Sequence, residues 1–101
     1  MELTTGKAGD VPVITIGSDH LDAGNADEFK QKLAPLIADS STVLLDMSQV
    51  QFLDSAGLGA LLSGLRRLSA AGGDLRLFGL SRQVHGVFQA TRMHRIFDLF
   101  D

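Results

Sequence analysis

The chain has 101 residues, of which 45% are hydrophobic and 21% are charged, with a net charge of −3 and no cysteine. This length predicts a single domain spanning residues 1–101, and the composition excludes disordered, collagen-like and coiled-coil classes. The lack of cysteine excludes disulfides and thiolate metal sites, and the acidic balance argues against a nucleic-acid partner.

No apolar run approaches the roughly 20 residues that a membrane-spanning helix needs. Glu2 is acidic, and no apolar core follows it that would resemble a secretory signal. We therefore expect a cytoplasmic protein that does not insert directly into a membrane.

The first elements along the chain are predicted to be strands. Glu2–Thr5 is a candidate short strand, and Gly6–Asp10 a turn. Val11–Ile16 is apolar and rich in β-branched residues, which predicts a second strand. Pro12 cannot donate a hydrogen bond to a neighbouring strand, so it belongs at a strand start or an edge. Residues 17–25 are polar and predict a loop.

A first helix is predicted from Ala26 to about Ala38. Asn25 and Glu28 resemble a capping box at its start. Pro35 predicts a kink or an early end. The predicted apolar stripe consists of Ala26, Phe29, Leu33, Leu36 and Ile37.

The middle of the chain predicts a strand, a bend and a second helix. The run Val43–Leu45 is continuously apolar, as in a central strand covered on both faces, and Asp46 closes it. The helix is predicted from about Ala56 to Ala70, and Gly72-Gly73 ends it. Its sheet-facing side is predicted to consist of Leu58, Leu61, Leu62, Leu65 and Leu68.

The last third predicts a strand over Leu75–Leu80, a third helix capped by Ser81, and an apolar segment Ile96–Phe100 that is a short strand or a packed tail. Strands that alternate with helices predict an α/β domain with a mixed, mostly parallel sheet of four to five strands. The buried stripe of the third helix is predicted to be Val84, Val87, Phe88 and Thr91.

Ser55 lies at the bend before the second helix, where two roles are open. Its hydroxyl could cap the helix by accepting a backbone N–H bond. The N-terminal end of a helix also suits a phosphate, and phosphorylation would add roughly −1.5 to −2 charges there. Asp54, and Asp22 if the fold brings it close, would oppose that charge.

The segment Leu45–Gly59, reading LDMSQVQFLDSAGLG, resembles the signature of the STAS domain, in particular that of bacterial anti-sigma factor antagonists. Leu21-Asp22 and Gly72–Leu75 also resemble this family. The resemblance implies that an anti-sigma factor, itself a serine kinase, phosphorylates Ser55. It further implies that the unphosphorylated protein binds this kinase and frees a sigma factor, and that a phosphatase resets the phosphorylated form. The implied partner-binding residues are Asp22, Asn25, Asp54, Ala56, Leu58 and Gly59.

The chain departs from the family pattern at two places. The family usually has a glycine two residues before the Leu-Asp pair, whereas here Asp19 stands there and Gly17 lies further upstream. Many relatives carry a second serine or threonine after the phosphorylated one, and this chain has Ala56. Ser55 is therefore the only hydroxyl residue at the bend.

The alternative functions, a hydrolase, a nucleotide-binding module and a phosphoacceptor receiver, each lack residues that their chemistry requires. Ser55 is not in a G-x-S-x-G elbow, and the three histidines have no spacing that predicts a triad or a metal site. Gly57 and Gly59 lack a third glycine and a Walker lysine, so they are better explained by close packing at a helix start. Asp46 could suggest a phosphoacceptor receiver, but no late lysine follows, and a role in bracing the next loop is favoured.

We therefore expect a regulator without catalytic activity, cofactor or metal. One alternative within the same family stays open: a STAS scaffold or regulatory subunit of a signalling complex or membrane transport system, without a phosphorylation cycle.

Overall fold

The computed structural model describes residues 1–100, which form one α/β domain. The elements follow one another in the predicted order, with two additional two-residue strands. In chain order they are β1 (Glu2–Ala8), β2 (Val11–Gly17), β3 (His20–Leu21), α1 (Ala26–Ile37), β4 (Thr42–Asp46), β5 (Phe52–Leu53), α2 (Ser55–Ala70), β6 (Asp74–Phe78), α3 (Arg82–Ala90), a 3₁₀ turn (Met93–Arg95) and β7 (Asp98–Phe100).

The main sheet has five strands in the order β1-β2-β4-β6-β7. β1 is antiparallel to β2, and every other neighbouring pair is parallel. The two short strands β3 and β5 pair in parallel as a separate ribbon. The predicted fold class, a mixed and mostly parallel sheet, is confirmed.

The helices cover only one face of this sheet. Buried and half-exposed residues alternate along the central strands, so that Val43 and Leu45 are buried while Leu44 between them is half-exposed. The prediction that this strand is covered on both faces is therefore wrong. A run of three apolar residues is compatible with either arrangement, because alternation becomes visible only over a longer strand.

β1 is longer than predicted. Gly6, Lys7 and Ala8 pair with β2, so the turn is confined to Gly9 and Asp10. Pro12 is the second residue of β2, in agreement with its predicted place at a strand start.

The predicted capping box at the start of α1 is wrong. The Asn25 side chain makes no cap hydrogen bond. Its Oδ1 accepts a bond of 2.9 Å from the Asp22 N–H, and its Nδ2 donates one of 2.9 Å to the His20 carbonyl. Glu28 instead forms ion pairs of 3.0 Å with the N-terminal amino group and with Lys32. Asn25 therefore fastens the preceding loop.

α1 continues through Pro35 and ends at Ile37, within one residue of the predicted end at about Ala38, so the early end predicted at this proline does not occur. Leu36 does not belong to the buried stripe, because its side chain is 38% exposed.

In α3, the predicted cap is confirmed: the Ser81 hydroxyl accepts a bond of 3.1 Å from the Val84 N–H. Thr91 is exposed and lies outside the predicted buried stripe, and its hydroxyl donates a bond of 2.7 Å to the Val87 carbonyl. In the final apolar segment, Asp98–Phe100 forms β7, which confirms the short strand, while Ile96 and Phe97 precede it.

Candidate functional site at the start of helix α2

Asp54, and not Ser55, caps helix α2. The Asp54 backbone is extended, and its Oδ1 accepts a bond of 2.9 Å from the Gly57 N–H. Ser55 is the first residue of the helix, and it is exposed. The possibility that Ser55 caps the helix is therefore excluded, and its hydroxyl makes no hydrogen bond to any of residues 1–100.

Asp54 also connects the helix to the loop before α1. Its Oδ2 accepts a bond of 3.1 Å from the Ala23 N–H, and its own N–H donates a bond of 3.4 Å to the Leu21 carbonyl. Asp22 therefore lies in a loop that is fastened to the start of α2. Its Oδ1 accepts a bond of 2.9 Å from the Gly24 N–H, which orders the turn of that loop.

These backbone bonds hold the pKa of Asp54 below its usual value of 3.8; the Gly57 N–H has the largest effect, and the Ala23 N–H adds to it. The carboxylate is consequently charged at neutral pH, directly beside Ser55. Because the folded-state pKa is lowered, the stabilisation is complete above about pH 4 and is lost as the pH falls through the lowered pKa.

Replacing Asp54 with alanine should lower the Tm by about 4–8 °C, because α2 loses its cap and the loop loses its link to the helix. Asp54→Asn should lower the Tm by less than Asp54→Ala does, since asparagine also caps helices. Because asparagine does not titrate, the Tm of this variant should fall less than that of the native protein when the pH is lowered below about 4. Thermal unfolding followed by circular dichroism measures both effects. Ser81→Ala removes the cap of α3 and is the control that leaves the loop in place. Equal Tm values for Asp54→Ala and the native protein would contradict the proposed link.

The two glycines of α2 near the bend have different surroundings. A Cβ on Gly57 would lie 2.2 Å from the Leu21 carbonyl oxygen and 2.7 Å from Leu53 Cδ1. Gly59 is exposed, and a Cβ there would have no neighbour within 4 Å. The close packing predicted for both glycines is confirmed for Gly57 and is wrong for Gly59, which leaves the surface beside Ser55 uncovered.

An open groove lies next to Ser55, between α2 and the turn that follows α3. Its volume is about 270 Å³, and most of its lining is apolar. We call this the α2 groove, and its lining residues are Ser55, Leu58, Gly59, Leu62, Thr91 and Met93.

Sequence reasoning missed Thr91 and Met93 as neighbours of this site, because they lie more than 30 residues from Ser55 along the chain and no local pattern connects them. It also missed Phe52, two residues before Asp54, whose side chain is 47% exposed. Exposed aromatic side chains are typical of protein contact surfaces.

The predicted partner-binding residues differ in accessibility. Ser55 and Gly59 are exposed, and Asp22, Asp54 and Ala56 are half-exposed. Asn25 and Leu58 are buried, each with 7% of its surface accessible. The Asn25 amide is used within its own loop, whereas Leu58 still reaches the lining of the α2 groove.

Within residues 1–100, no group of three or more histidine, aspartate or glutamate side chains could hold a metal ion. The His20 Nδ1 lies 2.8 Å from the neighbouring Asp19 carboxylate, and the His94 Nδ1 lies 3.4 Å from the Phe88 carbonyl. Asp46 braces its loop, as predicted, by accepting a bond of 2.9 Å from the Ser48 N–H. Over the same part of the chain, no helix combines the length and apolarity that crossing a membrane requires.

The family model of the STAS domain matches residues 3–101, and this range includes the whole site. The chain belongs to the STAS domain family. Among curated relatives of this STAS protein, the anti-sigma-B factor antagonist of Bacillus subtilis is 28% identical over 79 residues, which cover 78% of this chain and 72% of the relative.

Solved structures share the fold. The anti-sigma factor antagonist of Mycobacterium paratuberculosis superposes with a TM-score of 0.84 at 23% identity, covering 98% of this chain and 84% of that one. The murine anion transporter Slc26a9 has a TM-score of 0.74 at 26% identity, covering 84% of this chain but 14% of the transporter. The same fold thus occurs in a small antagonist and within a much larger transporter.

Proposed function

We propose that this STAS protein is an anti-sigma factor antagonist that binds an anti-sigma serine kinase and is released when Ser55 is phosphorylated. The observation that carries the proposal is the exposure of Ser55 at the start of α2, on the rim of the α2 groove. The names of the curated relatives support the antagonist function.

The position of Ser55 explains why one surface would serve both binding and release. A kinase must bring its phosphate donor to the Ser55 hydroxyl, and its surface must then cover the adjoining α2 groove. An apolar contact in that groove would stabilise the complex while Ser55 is uncharged.

Phosphorylation would place about −1.5 to −2 charges beside the charged Asp54 carboxylate. Asp54 already occupies the Gly57 N–H, so that donor of the helix end is not free for the phosphate. The phosphate would therefore face the partner, and covering it with an apolar surface would cost free energy because the charge would lose its water.

The proposal assigns no catalytic activity to this chain: the kinase supplies the transfer chemistry, and a phosphatase restores the serine. Such a cycle uses ATP and a sigma factor, so we expect it to operate in the cytoplasm.

The decisive experiment is phosphorylation by purified anti-sigma-type serine kinases encoded in the source genome, with ATP, followed by mass-spectrometric mapping. We expect one phosphate on Ser55, and none on the Ser55→Ala variant. Ser63→Ala is the matched control, because Ser63 is an exposed serine on the same helix. Phosphate on another residue, or no phosphorylation by any of these kinases, would overturn the proposal.

Replacing Gly59 with arginine should weaken binding to the kinase by roughly tenfold or more, because a bulky charged side chain would fill the α2 groove. The fold should persist, since a Cβ at Gly59 has no neighbour within 4 Å. Calorimetric titration measures the binding, and circular dichroism the fold. Gly86→Arg is the matched control, an equally open glycine on α3. Equal affinities for the two variants would contradict a contact at Gly59.

A second candidate function is regulation of a transport system without phosphorylation, favoured by the likeness to a domain of Slc26a9. The neighbouring genes distinguish the candidates: a serine kinase of the anti-sigma type supports the first, and a transporter operon supports the second.

A further inference from the structure

The sheet face that the helices leave uncovered contains a second apolar groove, on the opposite side of the sheet from α2. Side chains at alternate positions of β1, β2, β4, β6 and β7 meet on this face, as the strand register requires. The groove has a volume of about 430 Å³ and a largely apolar surface. We call it the open-face groove, and its lining residues are Ala8, Val13, Leu44, Arg76, Phe78 and Phe100.

Two aromatic side chains form one wall of this groove. Phe78 and Phe100 are paired across β6 and β7, and Phe100 is 48% exposed. Val13 and Leu44 are paired across β2 and β4 and form the floor. Apolar side chains gathered in this way, on a face with no covering element in residues 1–100, mark a surface for a partner.

The charges around the groove are predominantly negative. The strand register places four acidic residues on this face: Glu2, Asp46, Asp74 and Asp98. Among the strand residues described in residues 1–100, Arg76 is the single cation on the same face. The Arg76 Nε lies 3.5 Å from the Asp74 carboxylate and 3.6 Å from that of Asp98. These two carboxylates offset the charge of the guanidinium, whose buried Nε has no hydrogen-bond partner among residues 1–100. Four carboxylates against one guanidinium leave an excess of negative charge on this face.

We propose that the open-face groove binds an amphipathic helix of a partner protein, with apolar side chains in the groove and lysine or arginine side chains against the acidic rim. The acidic rim favours a basic helix over other occupants. A second copy of the chain would bring two acidic rims together, and an anionic membrane or a nucleic acid would be repelled.

The dimensions of the groove fit one helix. Its lining residues lie on all five strands of the main sheet, from β1 to β7, and four strand spacings of about 4.8 Å give roughly 19 Å. An α-helix with its side chains is about 10–12 Å across. Because the groove and Ser55 lie on opposite sides of the sheet, this partner could bind together with the proposed kinase, and the inference does not depend on the phosphorylation cycle.

The test uses two synthetic helical peptides of equal length with leucine at positions i, i+3, i+4 and i+7, flanked by lysines in one and by glutamates in the other. Each is titrated into the isotope-labelled protein, and backbone amide shifts are followed by NMR. The lysine peptide should bind saturably and shift the amides of Leu44, Arg76, Phe78 and Phe100. Its affinity should fall as salt is added, and the glutamate peptide should bind roughly tenfold more weakly or not at all.

Leu44→Lys should weaken binding of the lysine peptide roughly tenfold, because it places a positive charge in the groove floor. Leu36→Lys is the matched control, since Leu36 is an exposed leucine on α1. If Leu44→Lys unfolds, Phe100→Ala at the edge strand replaces it, and its binding should be weaker than that of the native protein. Ser55→Asp should leave peptide binding unchanged.

Several outcomes would overturn the inference. These are equal binding of both peptides, no binding of the lysine peptide, shifts confined to the α2 groove, or equal affinities for Leu44→Lys and Leu36→Lys. A concentration-dependent dimer that Leu44→Lys abolishes would also overturn it, because the occupant would then be a second copy.

Discussion

Gly57→Ala should lower the free energy of unfolding by about 2–3 kcal/mol. The added Cβ would lie 2.2 Å from the Leu21 carbonyl oxygen, so that the start of α2 must move away from β3. The Leu21 carbonyl cannot move easily because it belongs to the backbone of β3. The backbone at Gly57 cannot move easily because its N–H is bound by the Asp54 cap. Urea unfolding followed by circular dichroism measures the change.

Gly59→Ala is the matched control, two residues further along the same helix. A Cβ there meets nothing within 4 Å, so the change should raise the free energy of unfolding by about 0.5–1 kcal/mol, the usual preference of a helix for alanine over glycine. Equal stabilities for the two variants would show that α2 does not pack closely against β3. Because Gly57 supports the helix that presents Ser55, Gly57→Ala should also weaken kinase binding.

Ser55→Asp should weaken binding to the anti-sigma serine kinase by about 10–100-fold, which corresponds to about 1.4–2.7 kcal/mol. The new carboxylate would stand beside the charged Asp54, on the rim of an apolar groove, and its burial under a partner would be unfavourable. Ser55→Ala should keep its affinity within a few-fold, because the hydroxyl makes no hydrogen bond within residues 1–100. Calorimetric titration with the purified kinase measures both variants.

Ser63→Asp controls for an added negative charge on the same helix, since Ser63 is also exposed and lies outside the α2 groove. Its affinity should match that of the native protein. If Ser63→Asp weakens binding as much as Ser55→Asp does, the effect comes from the overall charge of the protein and the proposed switch is wrong. If Ser55→Asp binds as tightly as Ser55→Ala, charge at Ser55 does not release the partner.

Local sequence patterns were sufficient for most of the fold. The β-branched run at Val11–Ile16 and the Ser81 cap depend on residues that are close in sequence, and both are confirmed. The leucine spacing of α2 is confirmed except at Leu62, which is half-exposed and lines the α2 groove. Predictions were wrong where a local sequence pattern is compatible with two different structures. Asn25 followed by Glu28 fits a capping box, but both side chains bond instead to groups outside the helix.

The site was predicted in part. The signature around Ser55 was sufficient to locate the bend and the family, because it lies within one continuous segment that the family model also covers. Capping by Ser55 was one of two roles left open for its hydroxyl, and the cap is Asp54, one residue earlier. Either side chain can accept an N–H bond, and only the backbone conformation at Asp54 decides which one does.

Residue order along the chain therefore established the α/β class, the position of Ser55 at the start of a helix and membership of the STAS family. Tertiary packing decided three features that no local pattern contains. The Asp54 carboxylate reaches the Ala23 N–H, Thr91 and Met93 complete the α2 groove, and one face of the sheet stays open. Each depends on which distant segments become neighbours, and that is fixed only when the buried faces of the strands and helices come together.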